Sequence, residues 1–456
     1  MNKKLVYQTS LAERLLFGCY GTGLSIYFVL VGTYLNQYCL TEAAIPAEIL
    51  ALVFLIAKIW DGINDPIFGV IVDRVRLKSG KFLPWMRIAT LALPFTASLM
   101  FFVPSGIPGW LKGVYIMVTY MLYDSASTLT EVPYFAITTA MSDNPEERSQ
   151  IISTSKIVAL VPAFLVVFIP WMYQHLGWQV TIILFALLSM ASMLPGCFLL
   201  KERYTPVSEQ PPKLRDFWTY LKGNKYLLIY FFSAVVYGIT NTSGNMGNLF
   251  AIYNLGDESM INALLFAGFI PWIVAMVFVK QVIGKIDKIT LLLMAQAITI
   301  AVSVFLLFAG YANVILVIVC TIIRGFSMGL HTTLFFLFAP DFAEYGTYKS
   351  GIHAEGTAFS IQSLASKLIN ALASAFGLMF LAAFQFQEGS TVQSAQALQG
   401  IWYLVSIMPA IGAVLQSLIL IFFYKLTDKD VQIMSQVNHN EISREEGERL
   451  LAGRNL

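Results

Sequence analysis

The sequence predicts an all-α polytopic membrane protein, with twelve transmembrane helices in two six-helix bundles. Three observations carry that expectation. Of 456 residues, 57% are hydrophobic and 12% charged, where a soluble globular chain has about 25% charged. Mean hydropathy is +0.68. Apolar runs of roughly 20 residues recur from end to end, each long enough to cross a bilayer as a helix.

The first run, 12–39, follows Ser10 and Glu13, whose capping-box spacing starts a helix. Runs at 46–73, 83–104, 111–140, 150–174 and 178–200 complete an N-terminal bundle, residues 1–200. A polar stretch, 201–224, reads as a cytoplasmic linker. Spans at 225–253, 259–281, 287–309, 313–339, 353–385 and 397–424 form the second bundle, residues 225–424. The remainder, 425–456, is a polar cytoplasmic tail, partly helical or disordered, with no chemistry assigned.

Orientation follows from the basic residues, which concentrate in cytoplasmic loops. Arg74, Arg76, Lys78, Lys81, Arg148, Lys201, Arg203, Lys285, Lys288, Lys349 and Lys425 fall in one set of loops, whereas the opposite set offers only Lys112. Both termini are therefore expected on the cytoplasmic side of a plasma (bacterial inner) membrane, with no cleavable signal peptide. A net charge of +2 gives no sign of nucleic-acid binding. The four cysteines, Cys19, Cys39, Cys197 and Cys320, have neither metal-ligand spacing nor a disulfide framework. No nucleophile–base pair or phosphate loop is visible, so neither an enzyme nor a cofactor is expected.

The two halves echo each other. GVIVDRVRLKSGK after the second span has a shorter partner, VIGKIDK, after the eighth, and SDNPEERSQ after the fourth sits where DFAEYGTYK sits after the tenth. Parallel halves of this kind suit a transporter that binds its substrate between them near mid-membrane.

Inside the second span, Asp61 and Asp65 stand one turn apart on one face. A carboxylate at membrane depth is costly unless paired, and so marks a functional site by default. With Asn64, the two acids offer the oxygen ligands that a small hard cation wants, and either Asp could instead hold a proton. The bland alternative is a buried pair neutralised by a nearby lysine. In the fourth span, Asp124, Thr128 and Glu131 share a face. Thr128 supplies a hydroxyl to the same cation, and Glu131 a carboxylate for sugar hydroxyls. Asp124 reads equally as a structural contact. Pro133 follows and can free a backbone carbonyl.

Lys156 and Lys367 read either as counter-ions of Asp61 and Asp65 or as groups that change partner when a cation binds. In the seventh span Asn241, Asn245 and Asn248 form a stripe beyond Tyr237. Such groups bind sugars or join helices. Arg324 and His331 stand two turns apart in the tenth span. Arg324 is a candidate partner for Glu131 or Asp124, or for an anionic group of a substrate. At the cytoplasmic side, Asp73, Arg74 and Arg76 can lock two bundles through ion pairs, with Asp341 and Glu344 as candidate partners.

Several strings resemble one family. D-G-I-N-D-P, K-F-x-P-W, V-P-Y, E-R-S-Q, D-F-A-E-Y-G-T-Y-K and L-T-D-K, in that order, are similar to those of the glycoside–pentoside–hexuronide:cation symporters of the major facilitator fold. The resemblance implies a cation site at Asp61, Asn64, Asp65 and Thr128. It implies sugar contacts at Glu131, Lys156 and a stacking aromatic at Phe135, with the family's eleventh-span lysine at Lys367. The chain also departs from the melibiose-type pattern. Gly23 stands where an acidic sugar ligand is expected, Glu131 is one methylene longer than the usual aspartate, and Phe135 replaces a tryptophan. Losing a carboxylate while keeping Arg324 and Lys156 favours an anionic sugar such as a hexuronide over a galactoside.

The expected function is thus cation-coupled symport of a sugar or glycoside by alternating access, as a monomer in the bilayer. Na+ is the expected coupling ion, with H+ and Li+ as alternatives. A lysolipid carrier of the same fold and a substrate sensor that does not transport are the rival readings.

Overall fold

The computed structural model describes residues 8–74, 80–142, 147, 151–152, 154–155, 158, 165, 168–204, 223–350, 355–438 and 440–452. Within these, side chains at 58, 63, 65–66, 69–74, 139, 245, 280, 339, 350, 355–365, 367 and 371 lie outside the description. The described residues are helices and their connections, with no strand. Two compact units emerge: one of Met1–Glu209 with Gln387–Thr391, the other of Gln210–Phe386 with Val392–Leu456.

In the first unit, α1 (Leu11–Thr41) begins with the expected capping box, Ser10 and Glu13 each bonding the other's backbone N–H. It is followed by α2 (Ala47–Arg74), α3 (Leu83–Leu99), α4 (Gly109–Met141), α5 (Phe168–Leu176) and α6 (Trp178–Leu199). The helix α4 runs unbroken through Pro133. Gly177, at φ +80°, makes the corner between α5 and α6, a backbone region that suits glycine. Packing pairs α1 with α6, and α2 and α3 with α4. Where α1 meets α6, a Cβ on Gly23 would stand 2.7 Å from the Ser189 carbonyl, and the Ser189 hydroxyl donates to the Gly23 carbonyl at 2.8 Å. Backbones come this close only where a side chain is missing. That explains the glycine where the family pattern has an acid.

The second unit opens with α7 (Lys225–Tyr237), which does not continue as a regular helix. The chain passes through a tight 3-10 turn (Gly238–Asn241), two short helical turns (Thr242–Asn245 and Gly247–Leu249) and a wide π turn (Phe250–Asn254). Then come α8 (Met260–Val282), α9 (Lys288–Ala309), α10 (Val314–Leu337), α11 (Ala339–Ser350) and α12 (Glu355–Ala383). The last predicted span is also interrupted, into α13 (Ala395–Ser406) and α14 (Met408–Phe423). Gly325 and Gly329 bring α10 against the backbone of α8: an added Cβ would lie 2.9 Å from Gly268 Cα and 2.8 Å from Trp272 Cα.

The tail is helical, as α15 (Asp428–Asn438) and α16 (Arg444–Leu450). Glu344 on α11 holds α15, accepting from Ser435 at 3.0 Å and Asn438 at 2.7 Å. Helix lies within each predicted span among the described residues, in the fifth only in part. Among the described residues, seven stretches are both long and apolar enough to cross a membrane.

Candidate functional site

In the first unit the polar site sits between α2 and α4. Asp61, Asn64, Asp124 and Thr128 are all buried. Asn64 Nδ2 donates to Thr128 Oγ1 at 2.8 Å and to the Asp124 carbonyl at 3.4 Å, while the Thr128 hydroxyl donates to that same carbonyl at 3.2 Å. Trp60 reaches Ser125 at 3.2 Å, closing the α2–α4 seam one turn away. Asn64 Oδ1 is buried and accepts no hydrogen bond among the described residues. A buried amide oxygen in that state is costly unless something completes it. A small monovalent cation would fit it: a carboxylate, an amide oxygen and a hydroxyl are the hard donors that Na+ or Li+ takes. The spacing thus brings Asn64 and Thr128 together and places Asp61 one turn from Asn64.

Other expected residues are only partly placed. The side chains of Asp65, Asp73, Arg74, Asn245 and Lys367, and all of Lys156 and Arg76, lie outside the described residues. Glu131 is half-buried and Phe135 exposed, its ring centroid 5.1 Å from that of Tyr134. Tyr134 in turn stacks on Phe17 at 4.3 Å, so the ring expected to contact sugar stands on an aromatic base shared by α1 and α4.

In the second unit the segment that carries Asn241, Asn245 and Asn248 is not one regular helix, so the regular helical spacing that would align them does not hold there. Asn241 donates to Asn370 on α12 at 3.3 Å, the helix-joining use of an amide. Arg324 is buried, and its Nη1 donates to the Val405 carbonyl at 2.6 Å. The reason lies four residues on. Pro409 has no N–H, so the Val405 carbonyl has no donor in its own helix, and the guanidinium takes that place. Thr242 and Thr240 also donate to carbonyls of this segment, those of Leu404 and Pro409, each at 3.3 Å. His331 stacks on Tyr237, with centroids 3.6 Å apart, and shares the Gln416 Oε1 with Gln296, at 3.1 and 2.6 Å. Asp341 pairs with Lys288 at 2.6 Å, and Glu344 binds the tail, so both candidate gate acids have partners inside their own unit.

The sequence matches the family described as "MFS/sugar transport protein" over residues 16–428. The chain belongs to that family. It is 28% identical to the "Uncharacterized symporter YnaJ" of Bacillus subtilis (strain 168), over 94% of this chain and 95% of that one. It is 25% identical to the "Isoprimeverose transporter" of Lactiplantibacillus pentosus, over 90% of this chain and 88% of that one. Among solved structures, a D-xylose-proton symporter superposes with a TM-score of 0.62 at 12% identity, covering 90% of this chain and 96% of that one, which is a likeness of fold. The sugar-transport family expected from the motifs is therefore the right one. This protein is a multi-pass membrane transporter and not an enzyme.

Three carboxylates of this transporter escaped sequence reasoning because each serves residues far along the chain. Glu147, in the E-R-S-Q string, accepts from Thr9 N–H at 2.8 Å, Gln8 N–H at 3.1 Å and Ser142 Oγ at 2.8 Å, with Arg14 at 3.6 Å. Burial pushes its carboxyl up, but the Thr9 hydroxyl and the other donors outweigh this and hold it at about 2. Glu202 accepts from the N–H groups of Lys81, Phe82 and Leu83, each at 2.8 Å, capping α3 from behind α6. Glu388 accepts from Ala47 N–H at 2.8 Å, at the start of α2. Local spacing could not have found any of them.

Proposed function

We propose that this protein carries a sugar or glycoside by cation-coupled symport through alternating access. The cation binds among Asp61, Asn64, Asp65 and Thr128, with Na+ as the preferred ion. The single observation that carries the reading is the buried Asn64–Thr128 contact beside Asp61, with an amide oxygen left to complete. Glu131 and Phe135 stand on the same helix as Thr128 and are assigned to the sugar, with Lys156 and Lys367 as charge partners of the site. Cation binding neutralises the acids and orders Glu131, so the two ligands raise each other's affinity by the same factor. We place both termini on the cytoplasmic side of a plasma membrane, in a chain of twelve spans.

Names of relatives suggest substrate classes to try: one is an isoprimeverose transporter and another a glucuronide carrier protein homolog. The test is uptake into proteoliposomes under an inward Na+ gradient, with a xyloside, a glucuronide and a galactoside in parallel. Sodium-stimulated uptake of any of them is the expected result. Glucuronide uptake would select the anionic branch. Uptake that responds to protons and ignores sodium would overturn the ion assignment, and no uptake under either gradient would overturn the symport reading.

A further inference from the structure

The second unit contains a cavity that a sugar does not explain. About 370 Å³ opens between the broken segment after α7 and the facing sides of α8 and α10. That volume lies at the small end of ordinary ligand sites, about 300–1,000 Å³. Its walls include Leu264, Leu265, Phe269, Trp272 and Val317, with few polar groups. Sugars demand hydrogen-bonding groups on most sides, and here apolar walls outweigh the few polar members, Ser243, Asn248, Thr321 and Arg324.

The charged group among them is Arg324. It is 94% buried (6% exposed) and lines the cavity, yet no carboxylate pairs with it among the described residues. Its Val405 bond uses one of five guanidinium N–H donors and brings no negative charge. A cation at this depth pairs with an opposite charge or with backbone carbonyls, and a single carbonyl leaves most of the guanidinium donors open to an anion. Gly244 and Gly247 also line the cavity, and a Cβ at either would meet nothing within 4 Å, so the break in the helix keeps the space open.

We propose that this cavity binds an amphipathic monoanion, its acid group on Arg324 and its apolar body between α8 and α10. The site is separate from the cation and sugar residues on α2 and α4, so its failure would leave the symport reading intact. Two sources share the chemistry: an anionic lipid of the bilayer, or a carried acid with an apolar substituent.

The test is equilibrium binding of radiolabelled decanoate to the full-length protein in phosphatidylcholine nanodiscs, with empty nanodiscs subtracted. Saturable binding is expected, with affinity rising about fourfold per methylene from hexanoate to decanoate. Decanol is expected to compete at least about tenfold more weakly, since it lacks the charge that Arg324 selects. Arg324→Gln should lose binding through the headgroup, and Gly247→Leu should lose it by filling the space. If either variant fails to fold, the decanoate–decanol comparison on the unaltered protein still decides. Displacement by phosphatidylglycerol assigns the site to lipid, and displacement by phenyl glucuronide to the transported class; both support it. Equal binding of acid and alcohol, or unchanged decanoate binding in folded Arg324→Gln, overturns it and leaves Arg324 as a substitute for the N–H that Pro409 lacks.

Discussion

The two units treat polar groups at mid-span in opposite ways. In the first, α2 and α4 are unbroken, and Asn64 and Thr128 bond side chain to side chain while both also lean on the Asp124 carbonyl. In the second, the chain breaks after α7 and between α13 and α14, and Arg324, Thr240 and Thr242 serve the carbonyls of Val405, Pro409 and Leu404. Intact helices leave polar side chains available to a ligand, whereas broken ones recruit them as repair. A polar residue inside a span is therefore not by itself a ligand; whether its neighbours' backbone is complete decides its use.

The sharpest way to break this contrast is a pair of variants measured side by side. Asp61→Asn should remove cation stimulation of uptake, a loss of about 5–150-fold if coupling has its usual strength. Thr242→Val should leave cation dependence unchanged and cost about 1 kcal/mol of stability through one lost hydrogen bond. A Thr242→Val protein with altered cation dependence, beside an Asp61→Asn protein without it, would reverse the assignment. Gly23→Asp comes next. Restoring the acid of the melibiose-type pattern should destabilise the first unit by about 1–3 kcal/mol, read as a lower melting temperature, because α6 occupies the space.

Glu202→Ala tests repair at a helix end, where the first unit does use it. Losing the cap of α3 should cost about 0.5–2 kcal/mol in thermal denaturation. The smallest effect concerns pH. Glu147 has its carboxyl near 2 rather than the usual 4.5, so its stabilisation is complete above 4.5 and fades as pH falls towards 2. Glu147→Gln should flatten the fall in melting temperature across that window. An unchanged slope would mean that the Thr9 contacts contribute nothing.

Much of this was legible in the chain. Apolar runs located the helices, the Ser10–Glu13 spacing fixed the start of α1, and Asn64 and Thr128, singled out together, meet at the α2–α4 seam. Other features were hidden because they depend on meetings distant in sequence. The chain between Gly238 and Asn248 is irregular, whereas hydropathy reads the run as one span and sets its asparagines on a regular helix. Pro409 marks the second break, but its effect on Arg324 appears only when α10 lies beside α13. Gly23 looked like a lost ligand, and it is a packing contact.

The Glu388 contact carries a consequence for how the protein is made. The acceptor for the first N–H of α2 is encoded 341 positions downstream, in a short piece that belongs to the first unit. A ribosome adding about 5–20 residues per second reaches it roughly 17–70 s after residue 47. The first half of the nascent chain therefore sits in the bilayer through most of translation before its last clasp arrives, and a first half expressed alone never receives it.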